Sequence, residues 1–209
     1  MKLPAYEFSK HIERKIEALP AEVLRSKSTR EAKKLIEELR ALSRLALSLK
    51  CPGLEVDVEV TPEGSEADGI IFEKGFRDRE LNVQIVYSFD HEEALRMELL
   101  NKQGHAPGAG SIRRDKKTKE ISAELVSVNS DGYIQRCSLE IIRLYEKKVG
   151  KQYRTKMILL ISFSELKLNG LAGWSCLYEN IKHKLSGATD NFIAVYLFNE
   201  ASNEIYQVA

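Results

Sequence analysis

The sequence predicts an α/β fold, a mixed sheet covered by helices, and three patterns carry that reading. From Leu54 to Val60 and from Glu80 to Phe89, side chains alternate with period two, as in strands with one apolar and one mostly polar face. Met157–Phe163 and Phe192–Phe198 are unbroken apolar runs, with the length and β-rich content of central strands covered on both faces. Elsewhere apolar residues recur at helical spacing, most plainly Leu35, Leu39, Leu42, Ala46 and Leu49.

A chain of 209 residues, 43% of them hydrophobic, can bury one substantial core, so a single domain over 1–209 is expected. Helices over 1–50 pack on that core, and 105–128 forms an inserted loop and basic hairpin. Lys plus Arg (32) nearly balance Asp plus Glu (31), so net charge selects no partner and any nucleic-acid contact must come from local patches. The N-terminus has no apolar signal region and no stretch approaches a membrane span, which reads as a cytoplasmic protein without a membrane partner. Cys51, Cys137 and Cys176 have no Cys-x-x-Cys spacing and read as small buried or half-buried hydrophobes, not as a disulfide framework or zinc site.

Taken in order, residues 6–18 form a short helix ended by Leu19-Pro20. Ser28 or Thr29 caps a longer one from about Arg30 to Leu49, stopped by Cys51-Pro52-Gly53. Strands over Leu54–Val60, Asp68–Glu73 and Glu80–Phe89, joined by turns at Pro62-Glu63-Gly64 and Lys74-Gly75, make an antiparallel meander. Asp90 and Glu93 form a capping box for a helix with Leu95 and Leu99 on its apolar face and Gly104 as its C-cap. A glycine-rich loop leads into a hairpin about Lys116–Lys119, with Ile121–Val128 as its second strand. Ser130 or Asp131 then caps a helix through Val149. The two apolar strands, separated by a helix bearing Trp174, Leu177, Tyr178, Ile181 and Leu185, make a right-handed crossover unit, and Glu204–Val208 an edge strand.

This order of helix, three-strand meander, helix and buried strand resembles the restriction-endonuclease-like fold of the PD-(D/E)xK nucleases. The resemblance implies a three-layer core. It also implies an Asp on the second core strand, a Glu-x-Lys or Gln variant on the third, and often a Glu from the first helix. Asp68, in Ala67-Asp68-Gly69, stands at the first of these positions. On the third strand either Asn82-x-Gln84 or Gln84-x-Val86 occupies the tripeptide, and parity does not choose, since all three side chains share a face. Glu38 or Glu37 stands at the helix position. The segment from Asp90 through Arg96 and Asn101 to Gly110 resembles a pattern in uncharacterised bacterial proteins, and that pattern implies no activity.

What the resemblance implies is a Mg²⁺-dependent phosphodiesterase acting on DNA or RNA. Asp68, Glu38 and Gln84 would be the metal ligands, and Asp68, Gln84, Asn82 and Glu38 the catalytic set. Mg²⁺ prefers oxygen ligands, usually one or two carboxylates plus waters. Gln84 brings only a neutral carbonyl, so a second carboxylate must come from Glu37, Glu38, Asp57, Glu59 or Glu80. The family's lysine has no counterpart on the third strand. Lys74 lies about 20 Å from Asp68 at ~3.3 Å per residue, too far to share a site. The other implication, of a different class, is a catalytically inactive module of the same fold that binds nucleic acid or a protein. For Asp68 the plainer role is a strand-start aspartate bonding nearby backbone N–H groups.

Two basic clusters suit phosphate contacts, which supply sequence-independent affinity. One is the hairpin, with Arg113, Arg114, Lys116, Lys117 and Lys119, of which Arg113, Arg114, Lys116 and Lys117 are the expected nucleic-acid contacts. The other is Lys147, Lys148, Lys151, Arg154 and Lys156. Gly104, Gly108 and Gly110 lack the Gly-Lys-Ser/Thr ending of a phosphate loop, and His105 has no visible partner.

Overall fold

Pro4 and Pro20 cannot donate a backbone N–H, and each stands immediately before a helix, where that donor would be idle. They introduce α1 (Ala5–Glu17) and α2 (Ala21–Ser26), and Lys2–Pro4 itself forms a short edge strand, β1. The structure, a computed structural model, describes residues 2–27, 29–88, 91–107, 110–123, 130–165, 168, 170–185 and 191–209. Of the two caps expected for the next helix, Thr29 is one, its Oγ1 accepting the Ala32 N–H at 3.1 Å, and Ser28 lies outside the described residues. The helical run is continuous but not uniform. It comprises α3 (Arg30–Lys33), a π-helical segment (Lys34–Leu39) and α4 (Arg40–Ser48).

Seven strands form the central sheet in the order β1-β2-β3-β4-β7-β8-β9. The meander is β2 (Leu54–Val60), β3 (Gly69–Gly75) and β4 (Arg79–Tyr87), paired antiparallel as its alternation requires. β7 (Met157–Phe163) lies parallel to β4, and β8 (Phe192–Asn199) parallel to β7, with α7 (Gly170–Leu185) between them in the chain. β9 (Glu204–Gln207) closes the far edge antiparallel to β8. Between β4 and β7 come α5 (His91–Gln103), a separate ribbon of β5 (Ile112–Arg114) and β6 (Ile121–Ala123), and α6 (Ser130–Val149). The expected caps Asp90, Ser130 and Asp131, the strand end at Phe89 and the stretch 124–128 lie outside the described residues or side chains.

Period-two geometry sorts the sheet's side chains onto two covered faces. Val56, Val58, Ile71, Leu81, Val83, Ile85, Ile158 and Leu160 pack with Phe8 and Ile12 of α1 and Leu42 and Leu45 of α4. Leu159, Ile161, Phe163, Val195 and Leu197 pack with Ile141 of α6 and Leu177 and Ile181 of α7. The architecture is therefore α/β in three layers: helices, a mixed sheet, helices. No helix among the described residues is long and apolar enough to cross a membrane.

Three expectations need correcting. Cys51 and Cys176 are exposed, because Cys51 falls in the turn after α4 and Cys176 on the outer side of α7. β8 is not covered throughout: a register shift between Met157 and Ile158 leaves Ile193 opposite no β7 residue and 48% exposed. β3 begins at Gly69, so Asp68 stands just outside the strand that was expected to contain it.

Candidate active site

Asp68 owes its position to the mismatch in length between β3 and β4. The β3–β4 pairing stops at Gly69 opposite Val83, whereas β4 continues alongside β7 to Tyr87. The Asp68 N–H donates to the Val83 carbonyl at 2.8 Å, and its Oδ2 accepts the Ile85 N–H at 2.6 Å. The carboxylate thus replaces the ladder partner that β3 no longer supplies. Gln84 shares this edge, and its Nε2 donates to the same Oδ2 and to the Ile85 carbonyl at 3.3 Å. Oδ1 receives no hydrogen bond among the described residues.

Gly69 lets the helical layer come close. A Cβ there would stand 2.5 Å from Leu42 Cδ2, a separation real side chains do not adopt, so α4 lies against bare backbone. The π-helical segment directly before α4 packs on β4 and β7 and carries Glu37 and Glu38 to the entrance of β3. A cleft of about 500 Å³ lies between this segment and the β2–β3 turn, lined by Lys33, Lys34, Glu37, Glu38, Thr61 and Asp68 among others. Arg30 and Glu63, on its opposite walls, form an exposed ion pair. Glu37 also approaches Lys27, whose Nζ lies 3.8 Å from Glu37 Oε1, 3.3 Å from Glu200 Oε2 and 2.5 Å from the Tyr87 hydroxyl.

The cleft raises the proton affinity of its carboxylates. Burial pushes Asp68 up, while the Ile85 N–H, Lys148, Gln84 and Lys34 pull it back. Burial is also the main cause for Glu38, followed by the Asp68 charge, with Glu37 and Glu63 adding to it and Lys34 opposing. Glu37 is raised by burial against the opposing charges of Lys27 and Lys33. Asp68 and Glu38 are thus half-buried carboxylates within reach of each other's charge, and no arginine or lysine forms an ion pair with either among the described residues.

The structure gathers Asp68, Glu38, Glu37 and Gln84, but not the other candidates. Asn82 points along the Gln84 face, donates to Thr155 Oγ1 at 3.4 Å and does not line the cleft. Asp57 pairs with Lys2 at 3.9 Å, and Glu59 and Glu80 are likewise absent from the cleft walls. Among the described residues no group of three or more His, Cys, Asp or Glu is placed to hold a metal ion. Sequence reasoning named Lys148 only within a basic cluster and did not connect it with Asp68, which its charge reaches from the last turn of α6, on the opposite side of the sheet. It also missed Tyr153, whose buried hydroxyl has no hydrogen-bond partner among the described residues and whose pKa is raised by burial, then by Asp68 and Glu66. The signal was weak: both fall in a basic stretch 80 or more residues from Asp68, with no spacing that links them to it.

In the basic hairpin, Arg114 pairs with Glu98 of α5, and Asp115 Oδ1 accepts the Lys117 and Thr118 N–H groups at 2.7 Å, building the turn. His105 is exposed, with Nδ1 3.1 Å from the Gln103 carbonyl oxygen. Compared with family models, with curated proteins and with solved structures, the chain finds no match.

Proposed function

We propose that this chain is a cytoplasmic nucleic-acid-binding protein of PD-(D/E)xK-like fold that hydrolyses phosphodiester bonds with Mg²⁺. The observation that carries the reading is the meeting of Asp68, from the entry to β3, and Glu38, from the π-helical segment, in one cleft. Two half-buried carboxylates, each pushed up by burial and Glu38 also by the Asp68 charge, suit a hard divalent cation completed by waters. Asp68 and Glu38 would hold the ion, and when bound it would lower the pKa of a coordinated water and offset charge on the phosphate. Gln84 is a positioning residue, since its amide N–H holds Asp68 Oδ2, and Oδ1 receives no hydrogen bond among the described residues. Lys148 takes the part of the absent third-strand lysine, placing positive charge beside Asp68 where negative charge develops on the phosphate. Burial and the nearby Lys151 and Lys147 lower its own pKa, which eases proton transfer.

The second reading, a catalytically inactive module of the same fold, is favoured by Gln84. Its amide donates to Asp68 in the position where the resemblance implies a ligand. The two readings part on one experiment: incubation with single- and double-stranded DNA and RNA in Mg²⁺ or Mn²⁺, comparing wild type with Asp68→Asn, Glu38→Gln and Lys148→Met. Cleavage that falls about 100-fold or more in each variant supports the enzyme. Cleavage indifferent to Asp68 and Glu38, or absent with every substrate and metal, removes it. Thermal melting gives a second readout, because an ion bound only by the folded state raises Tm, and does so less once Asp68 or Glu38 is neutralised.

A further inference from the structure

We infer that nucleic acid lies across the end of the sheet over Asp68, held by two groups of lysines from opposite helical layers, and that the basic hairpin is not its principal contact. This deepens the proposed function and rests on it for the identity of the polyanion. One group is Lys33 and Lys34, at the junction of α3 with the π-helical segment. The other is Lys147 and Lys148, in the last turn of α6, with Lys151 just beyond.

Both groups lie beside the same carboxylate: Lys33 and Lys34 line the cleft with Asp68, and the segment that follows α6 reaches the other side of it, where the Arg154 N–H donates to Glu66 Oε1 at 3.0 Å and Ala67 belongs to the core cluster against which Val149 and Tyr153 pack. Lys34 and Lys148 each lower the pKa of Asp68 through their charge, although they come from opposite faces of the sheet. Lys33 and Lys34 are adjacent, and Lys147, Lys148 and Lys151 fall together at the end of α6, so each group is compact. None of the five ammonium groups takes part in an ion pair among the described residues. Like charges clustered this closely and not tied up in ion pairs attract a chain of phosphates, which replaces their counterions. The hairpin differs. Arg114 is paired with Glu98, and Asp115 sits within the turn between Arg114 and Lys116, so its field is partly cancelled.

The test separates binding from cleavage. Binding of a fluorescent 20-nucleotide single strand, and of the corresponding duplex, is measured in EDTA across a salt series. The proteins are wild type, Lys33→Gln/Lys147→Gln/Lys151→Gln, and Lys116→Gln/Lys117→Gln. All five substituted positions are exposed, so the fold is retained. The triple variant should bind at least tenfold more weakly and flatten the plot of log K against log salt by about 0.7–0.9 per lost contact, while the hairpin variant stays within twofold of wild type. Loss of affinity in the hairpin variant with the triple variant unchanged overturns the inference, as does wild-type binding that does not depend on salt. Lysine-dependent binding without cleavage in Mg²⁺ leaves the inference standing and sinks only the hydrolytic reading. Cleavage that survives while binding maps to the hairpin does the reverse.

Discussion

Asp68 Oδ2 accepts the Ile85 N–H at 2.6 Å, so one carboxylate oxygen does the work of a missing strand residue. Its partner oxygen, Oδ1, receives no hydrogen bond among the described residues. The hydrogen bond and the charge of Asp68 are therefore separable by substitution.

Asp68→Asn keeps an acceptor for the Ile85 N–H and removes a half-buried charge beside Glu38, with the Gln84 amide free to turn over. It should be at least as stable as wild type at neutral pH. Asp68→Ala leaves the Ile85 N–H unpaired and should cost about 1–3 kcal/mol in denaturant unfolding. An Asn variant as unstable as the Ala variant would show that the charge, not the hydrogen bond, holds this edge.

The cleft carboxylates make stability depend on pH in an unusual direction. Asp68 and Glu38 bind protons more tightly folded than unfolded, so their ionisation opposes folding. That penalty is absent below their ordinary values, 3.8 and 4.5, and complete once pH exceeds the raised folded-state values. The stability gained by Asp68→Asn/Glu38→Gln over wild type should then be largest near neutral pH and shrink on acidification toward 4.5. A gain that grows on acidification contradicts the cleft electrostatics.

Glu73 behaves oppositely. Its side chain is fully buried on β3, and although burial resists its ionisation, hydrogen bonds from Arg79 and Arg77 hold its pKa below 4.5. The contribution is present above 4.5 and lost as pH falls through the depressed folded-state value. Arg77→Ala/Arg79→Ala strands a buried carboxylate and should cost about 3–5 kcal/mol. Glu73→Gln should cost less, about 1–2 kcal/mol, because both arginines are some 40% exposed (40% and 42%) and can turn to water.

Gly69→Ala tests the seat of the helical layer. The added methyl meets Leu42 Cδ2 at 2.5 Å and Cδ1 at 3.2 Å, and Leu42 is completely buried, so its side chain or the helix that carries it must shift. We expect a loss of about 1–3 kcal/mol and, because Glu38 rides on the same helical run, a smaller Mg²⁺-induced rise in Tm. A variant with wild-type stability and an unchanged response to Mg²⁺ would show that this close approach does not set the Asp68–Glu38 geometry.

The α/β class, the meander, the two parallel strands and the helix between them were legible because burial imposes periods of 2 and 3.6 on a chain whose core is covered on both faces. The shared edge of Asp68 and Gln84 was legible for the same reason. The sequence carried no mark of the π-helical turn in the helix at 30–49. It gave no sign of Asn199 either, a fully buried amide that joins the Glu165, Leu168 and Ala201 backbones across two loops. Nor could it indicate that the Lys148 charge reaches Asp68. Local periodicity determined the elements and which way their side chains face. Tertiary structure alone decided which charges meet at Asp68, because that depends on how close Gly69 lets one helical layer approach and on where α6 ends on the other.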